Sequence, residues 1–194
     1  MNLLSPRTPG TRPITDRVKE SVFNILSSRY DSMEGAHVAD LFCGTGSLGM
    51  EALSRGADSV VFFESDRRVV ELLRKNIERA GFARQATVRQ ANAFRFGFAS
   101  VPGAAKFGVV FVDPPYRQSE DVKLESRLGV LLQGLADQIT GDGVVVVRTQ
   151  HRVVLLDEYG DLKVVDRREW GTQAVAFLQR TVAEIQHRSD TNVQ

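Results

Sequence analysis

The chain has 194 residues, 42% of them hydrophobic, and a formal net charge of +1, which predicts one buried core and a single domain. One cysteine, Cys43, excludes a disulfide framework and a thiolate metal cluster, and His37, His151 and His187 lack ligand-like spacing, so no metal is expected. No apolar run approaches the ~20 residues needed to span a bilayer and no signal-peptide pattern opens the chain, so a cytoplasmic protein without a membrane partner is expected.

Residues 1–12 are rich in Pro, Gly, Ser and Arg without an apolar period, and should lie loose or draped over the surface. Thr15 or Asp16 can cap a helix with Val18, Val22, Ile25 and Leu26 on one face. A strand over residues 38–42 runs into a glycine turn, and a helix over 47–55 stops at Gly56. A second strand, 60–63, carries Glu64 at its end; Asp66 then caps a helix with Val69, Val70, Leu73 and Ile77 inward, ending at Gly81. Strands follow over 86–89 and 107–112, the latter closing on Asp113-Pro114-Pro115-Tyr116. Leu124, Leu128, Leu131, Leu132 and Leu135 form a helical stripe before a fifth strand over 143–147. Apolar runs alternating with helices imply a parallel sheet covered on both faces. After Arg148 the segments 162–165 and 174–178 stand too close for a helical crossover, which predicts an antiparallel closing pair. The tail, 181–194, is polar.

Two constellations carry chemistry. In the first, Gly44, Thr45, Gly46 and Gly49 follow the first strand, where glycine lets backbone approach a ligand closely, and Glu64 stands twenty residues past Gly44 to accept ribose hydroxyls. The same glycine spacing fits a nicotinamide- or flavin-binding turn. Asp40, inside the apolar strand, tilts the reading away from a pyrophosphate and toward the cationic methionine end of S-adenosyl-L-methionine. In the second, Asp113 and a backbone carbonyl at Pro114 can hold both hydrogens of an aromatic amine. Pro114 and Pro115 fix the backbone and remove competing N–H donors, and Tyr116 offers a ring for an extruded base.

These residues resemble the class I S-adenosylmethionine-dependent methyltransferases. More narrowly, the chain is similar to the RsmD family of bacterial small-subunit ribosomal RNA (guanine-N2)-methyltransferases. The resemblance rests on blocks 12–24, 40–56, 60–66 and 110–116, and covers about residues 12–178. It implies a Rossmann-like α/β fold: a seven-stranded, mostly parallel sheet with helices on both faces and an antiparallel strand near one edge. The expected organisation is an irregular segment over 1–11, a methyltransferase domain over 12–180 and a polar tail over 181–194. Cofactor contacts are implied for Thr15, Asp40, Gly44, Thr45 and Gly46, and for Glu64, Ser65, Asn92 and Ala93. Asp113, Pro114, Pro115 and Tyr116 would surround the target amine. Ribosomal RNA or an assembling small subunit is the implied partner, with the protein a monomer.

Relatives carry a basic β-hairpin ahead of the first block, where this sequence has residues 1–11. Asn92 stands where many relatives have an acid, and Trp170-Gly171-Thr172 replaces a Tyr-Gly-Thr segment, with packing as its expected role. An acceptor-only Asp113 suits the two adjacent donors of guanine. An adenine-N6 methyltransferase is the alternative; a nicotinamide-dependent oxidoreductase and a non-catalytic RNA-binding module are more remote.

Overall fold

The computed structural model describes residues 4, 14–30, 33–98 and 105–181. Helix α1 (Asp16–Tyr30) begins where the Thr15 hydroxyl accepts the Val18 amide at 3.4 Å, and it buries Val18, Val22, Phe23 and Leu26 while Ile25 is half-covered. β1 (His37–Leu41), α2 (Ser47–Ser54) and β2 (Ser59–Glu64) follow. Asp66 then caps α3 (Arg67–Ala80) by accepting the amides of Arg68 and Val69 at 2.7 and 3.3 Å. β3 (Ala86–Gln90) leads into a 3-10 turn (Ala93–Phe98), and β4 (Phe107–Val112) into a shorter one (Tyr116–Gln118). α4 (Arg127–Leu135), β5 (Ile139–Gln150), β6 (Glu158–Tyr159), β7 (Leu162–Trp170) and β8 (Gln173–Arg180) complete the described chain.

All strands join one sheet in the order β3-β2-β1-β4-β5-β8-β7-β6. The first five pair in parallel, and β8 runs antiparallel to both β5 and β7. Because side chains alternate along a strand, each face has its own core. Val38, Phe62, Phe111, Val146 and Phe177 pack toward the α1–α3 side, and Leu41, Val110, Val145 and Leu178 pack toward α4.

Four expectations need correction. The sheet has eight strands, not seven: β6 is only two residues long, too short for an alternating pattern, and is held where the Tyr159 hydroxyl donates to the Val122 carbonyl at 2.8 Å. Leu124 lies outside the helical stripe and is 45% exposed, because the Ser126 hydroxyl accepts the Gly129 amide and starts α4 after it. β5 extends at both ends beyond its apolar run. The closing pair is a long hairpin turning at Gly171 (φ 59°), whose polar residues 166–169 face solvent or pair in charge and so carry no apolar signal.

Of the N-terminal segment only Leu4 is described; its N–H and C=O bond the Asn76 side chain at 2.9 and 3.1 Å. The remainder of 1–13 and the tail from 182 lie outside the described residues.

Candidate active site

Alternation along the strands puts Asp40, Glu64, Asp113, Arg148 and Gln173 on the α1–α3 side of the sheet, in phase with Val38, Phe62, Phe111, Val146 and Val175. Strand order reverses between β1 and β4, so the ends of these two strands flank the crevice in which doubly wound sheets bind ligands. Backbone bonds tie the region together. The Asp113 amide donates to Leu41 O at 3.3 Å, and the Cys43 amide to Phe63 O at 3.0 Å. The glycine bend and the Asp113 tip thus open side by side at the carboxyl ends of β1 and β4.

The bend leaves β1 through Phe42, a non-glycine residue at φ 63°, whose ring packs edge-on against Phe94. Gly44 (φ 55°) has open space where a side chain would stand. Gly46 (φ 87°) has none: a Cβ there would lie 2.5 Å from Leu73 Cδ1. The two glycines therefore serve different ends, access at Gly44 and conformation with packing at Gly46. Lys19 anchors α1 over the bend, its ammonium reaching Ser47 Oγ at 3.5 Å and Glu51 at 3.7 Å.

Glu64 Oε2 accepts the Gly44 amide at 3.1 Å, and Oε1 accepts the amides of Ser65 and Asp66 at 2.7 and 2.8 Å. The carboxylate is locked in place yet half-exposed, with lone pairs left for further donors. Asp40 is buried: Oδ2 accepts the Gly49 amide at 2.8 Å, while Oδ1 has no partner. Burial pushes its carboxyl up to about 8, with Asp113 and Glu64 adding to the rise. The half-exposed Glu64 carboxylate and the unmatched Asp40 oxygen beneath an open glycine turn make a site that favours a cation.

Sequence reasoning missed what holds Asp113. Arg148 Nε and Nη2 each reach one Asp113 carboxylate oxygen at 2.7 Å, and Nη1 donates to Gln173 Oε1 at 2.9 Å. Burial raises the Asp113 carboxyl above its ordinary range, opposed by the guanidinium. Tyr116 is half-buried and within electrostatic reach of Arg148; Pro114 is buried and Pro115 exposed. An arginine ending a run of four valines was the available signal, since arginine is rarely buried without a partner.

The remaining predicted residues lie at the same rim with varied engagements. The Thr45 carbonyl accepts from Asn76 Nδ2 at 3.3 Å, and Ser65 is exposed beside Glu64. The Ala91 amide bonds Glu64 O at 3.0 Å, which sets Asn92 next to the Glu64 tip. Asn92 Oδ1 already accepts the Phe94 amide at 3.0 Å, leaving its second lone pair, and Ala93 is buried. Trp170 does more than pack: it lines an open cleft between the start of α1 and the β7–β8 turn. Among the described residues no group of three or more His, Cys, Asp or Glu could hold a metal ion, and no helix is long and apolar enough to cross a membrane.

Comparison with known proteins agrees with this architecture. The YlbH protein of Bacillus subtilis (strain 168) is 32% identical over 171 residues, 88% of this chain and 89% of its own. The ribosomal RNA small subunit methyltransferase D of Escherichia coli (strain K12) is 42% identical over 115 residues, 58% of this chain and 54% of its own. The match thus spans about half of that relative. The solved structure of Escherichia coli yhhF superposes with a TM-score of 0.73 at 30% identity, covering 92% of this chain and 90% of that one. The model of the family described as Conserved hypothetical protein 95 matches residues 1–179, and the chain belongs to that family, as its RsmD-like motifs anticipated.

Proposed function

We propose that this protein transfers a methyl group from S-adenosyl-L-methionine to the exocyclic 2-amino group of a guanine in small-subunit ribosomal RNA. It acts in the cytoplasm as a monomer, through one methyltransferase domain over residues 12–180. The observation that carries the reading is the Asp113 amide bonded to Leu41 O at 3.3 Å, which sets the Asp113–Tyr116 segment beside the end of β1, where the glycine bend begins. The small subunit methyltransferase D relatives supply the substrate class.

The acidic floor fits this cofactor. Its ammonium and sulfonium groups complement Asp40, whose Oδ1 lacks a partner and whose proton a cation would displace, whereas an anionic pyrophosphate would gain nothing from Asp40 and would be repelled by Glu64. Glu64 would hold the ribose hydroxyls, the bend at Gly44, Thr45 and Gly46 would pass beneath the cofactor, and Ser65, Asn92 and Ala93 would border its adenine. Thr15 and Lys19, at the start of α1, would cover the methionine end. When bound, the sulfonium supplies an electrophilic methyl group.

The chain's own work is positioning. The Arg148 fork uses one lone pair on each Asp113 oxygen and leaves the other free. Asp113 can then accept an amine hydrogen, with a second taken by the Pro114 carbonyl, so that the nitrogen lone pair is directed at the methyl group. The raised affinity of Asp113 for protons suits it to take one after transfer. Tyr116 offers the stacking face for the extruded base.

Labelled methyl transfer to separated small-subunit RNA, followed by nucleoside analysis, tests the function. Labelled N2-methylguanosine is expected, and N6-methyladenosine alone would overturn the base assignment. Glu64→Ala should weaken S-adenosylhomocysteine binding by about 1–3 kcal/mol through lost charged hydrogen bonds, measured by calorimetry. An unchanged dissociation constant would remove Glu64 from the ribose site.

Asp40 adds a pH signature. Its carboxyl is raised to about 8, so at pH 7 the free protein holds a proton there that a bound cation would expel. Cofactor binding should therefore release a proton below pH 8 and tighten as pH rises toward 8. Calorimetry in buffers of different ionisation enthalpy reads this directly, and Asp40→Asn should abolish the release.

A further inference from the structure

The cleft beside the β7–β8 turn adjoins the site at Thr15 and Gln173, and the rest of its wall is unused by the mechanism above. It measures about 580 Å³, within the range of small-ligand sites, and Thr15, Arg17, Val18, Trp170, Thr172 and Gln173 are on its walls. We propose that this cleft seats the nucleotide adjacent to the methylated base, stacked on Trp170, so that the substrate must be unpaired at two successive positions. The proposal rests on the RNA methyltransferase reading.

Three observations support it. First, position: Gln173 belongs to the cleft wall and also grips Arg148, which grips Asp113. β8 stands two strands from β4, about 10 Å at ordinary strand spacing, on the side away from β1 and the glycine bend. A base held at Asp113 would therefore have its strand neighbour near this wall, while the adenosine end of the cofactor lies in the opposite direction, over β2.

Second, chemistry: the half-buried indole of Trp170 offers an aromatic face, and stacking on such faces is how single-stranded RNA is commonly held. The Thr172 hydroxyl is a donor and acceptor for a base edge or a 2′-hydroxyl. Third, charge: Arg17 projects from the first turn of α1 as an exposed guanidinium suited to phosphate, and the one acid on the wall, Glu169, is neutralised by Arg167.

Trp170 is the only tryptophan in the chain, so its fluorescence reports on this cleft alone. The full chain, saturated with S-adenosylhomocysteine, is titrated with a short single-stranded guanosine-containing oligoribonucleotide, in parallel with methyl transfer to small-subunit RNA. Saturable quenching of twofold or more is expected from the oligonucleotide. Trp170→Leu should weaken oligonucleotide affinity roughly tenfold at unchanged S-adenosylhomocysteine affinity. Arg17→Gln, at an exposed position in the first turn of α1, should weaken it severalfold and flatten its salt dependence. Full quenching by S-adenosylhomocysteine alone would assign the cleft to the cofactor and overturn the proposal. Unquenched fluorescence would also overturn it: with RNA methylation intact only the cleft assignment falls, and with methylation absent the functional reading falls too.

Discussion

Asp113→Asn is expected to lower methyl transfer to RNA by about 10²–10³-fold, the cost typical of losing one preorganised polar group at a reacting centre, while S-adenosylhomocysteine affinity holds. Asparagine keeps one acceptor oxygen but presents an amide to Arg148, where two 2.7 Å charged bonds stood. The guanidinium, with only 9% of its side chain exposed, then faces a neutral group. Removing one partner of a buried pair typically destabilises by about 3–5 kcal/mol, so a clear fall in Tm should accompany the kinetic loss. The two effects separate by measurement. If single-turnover transfer by the folded, cofactor-saturated variant matches the wild type, Asp113 supports the structure but not the reaction.

Arg148→Met is the second large effect, and its signature is a displaced pH profile. Burial already raises the Asp113 carboxyl, and the guanidinium is what opposes that rise. Without it the carboxyl protonates at higher pH, so the acid limb of kcat/KM should move upward while the high-pH plateau falls less. Arg148→Lys keeps a charge but loses the fork, and should restore the limb in part. Stability follows the same sign. A carboxyl whose folded pKa exceeds its unfolded value favours the fold below the unfolded pKa and loses that advantage as pH rises. The variant's Tm deficit should therefore be small near pH 4 and grow toward pH 8. A deficit equal at both values, with an unmoved acid limb, would mean that Arg148 does not tune Asp113.

The elements most legible in the chain were those whose signal is local. β4 was read without error because its six residues are apolar and Asp113-Pro114-Pro115 ends them sharply. The Asp66 cap, the Gly81 stop and the glycine bend were legible for the same reason: capping and left-handed turns demand particular residues in place. β6 was hidden, since a two-residue strand has no period and exists only because Leu162 and Lys163 stand opposite it. The long β7–β8 hairpin was underestimated because its charged residues are stabilised across strands and against Arg29 rather than by burial.

By itself, the order of residues determined the alternating α/β pattern, the glycine bend, the acid after β2 and the Asp113–Tyr116 tip, because each is written in neighbours within a few positions. Tertiary structure alone decided that Arg148 and Gln173 brace Asp113, that Asp40 is sealed from solvent with one oxygen unmatched, and that Trp170 borders a cleft. The reason is physical. Those facts depend on strands 25 to 35 residues apart in sequence lying side by side, and on the sheet's two-residue alternation turning all these side chains to one face.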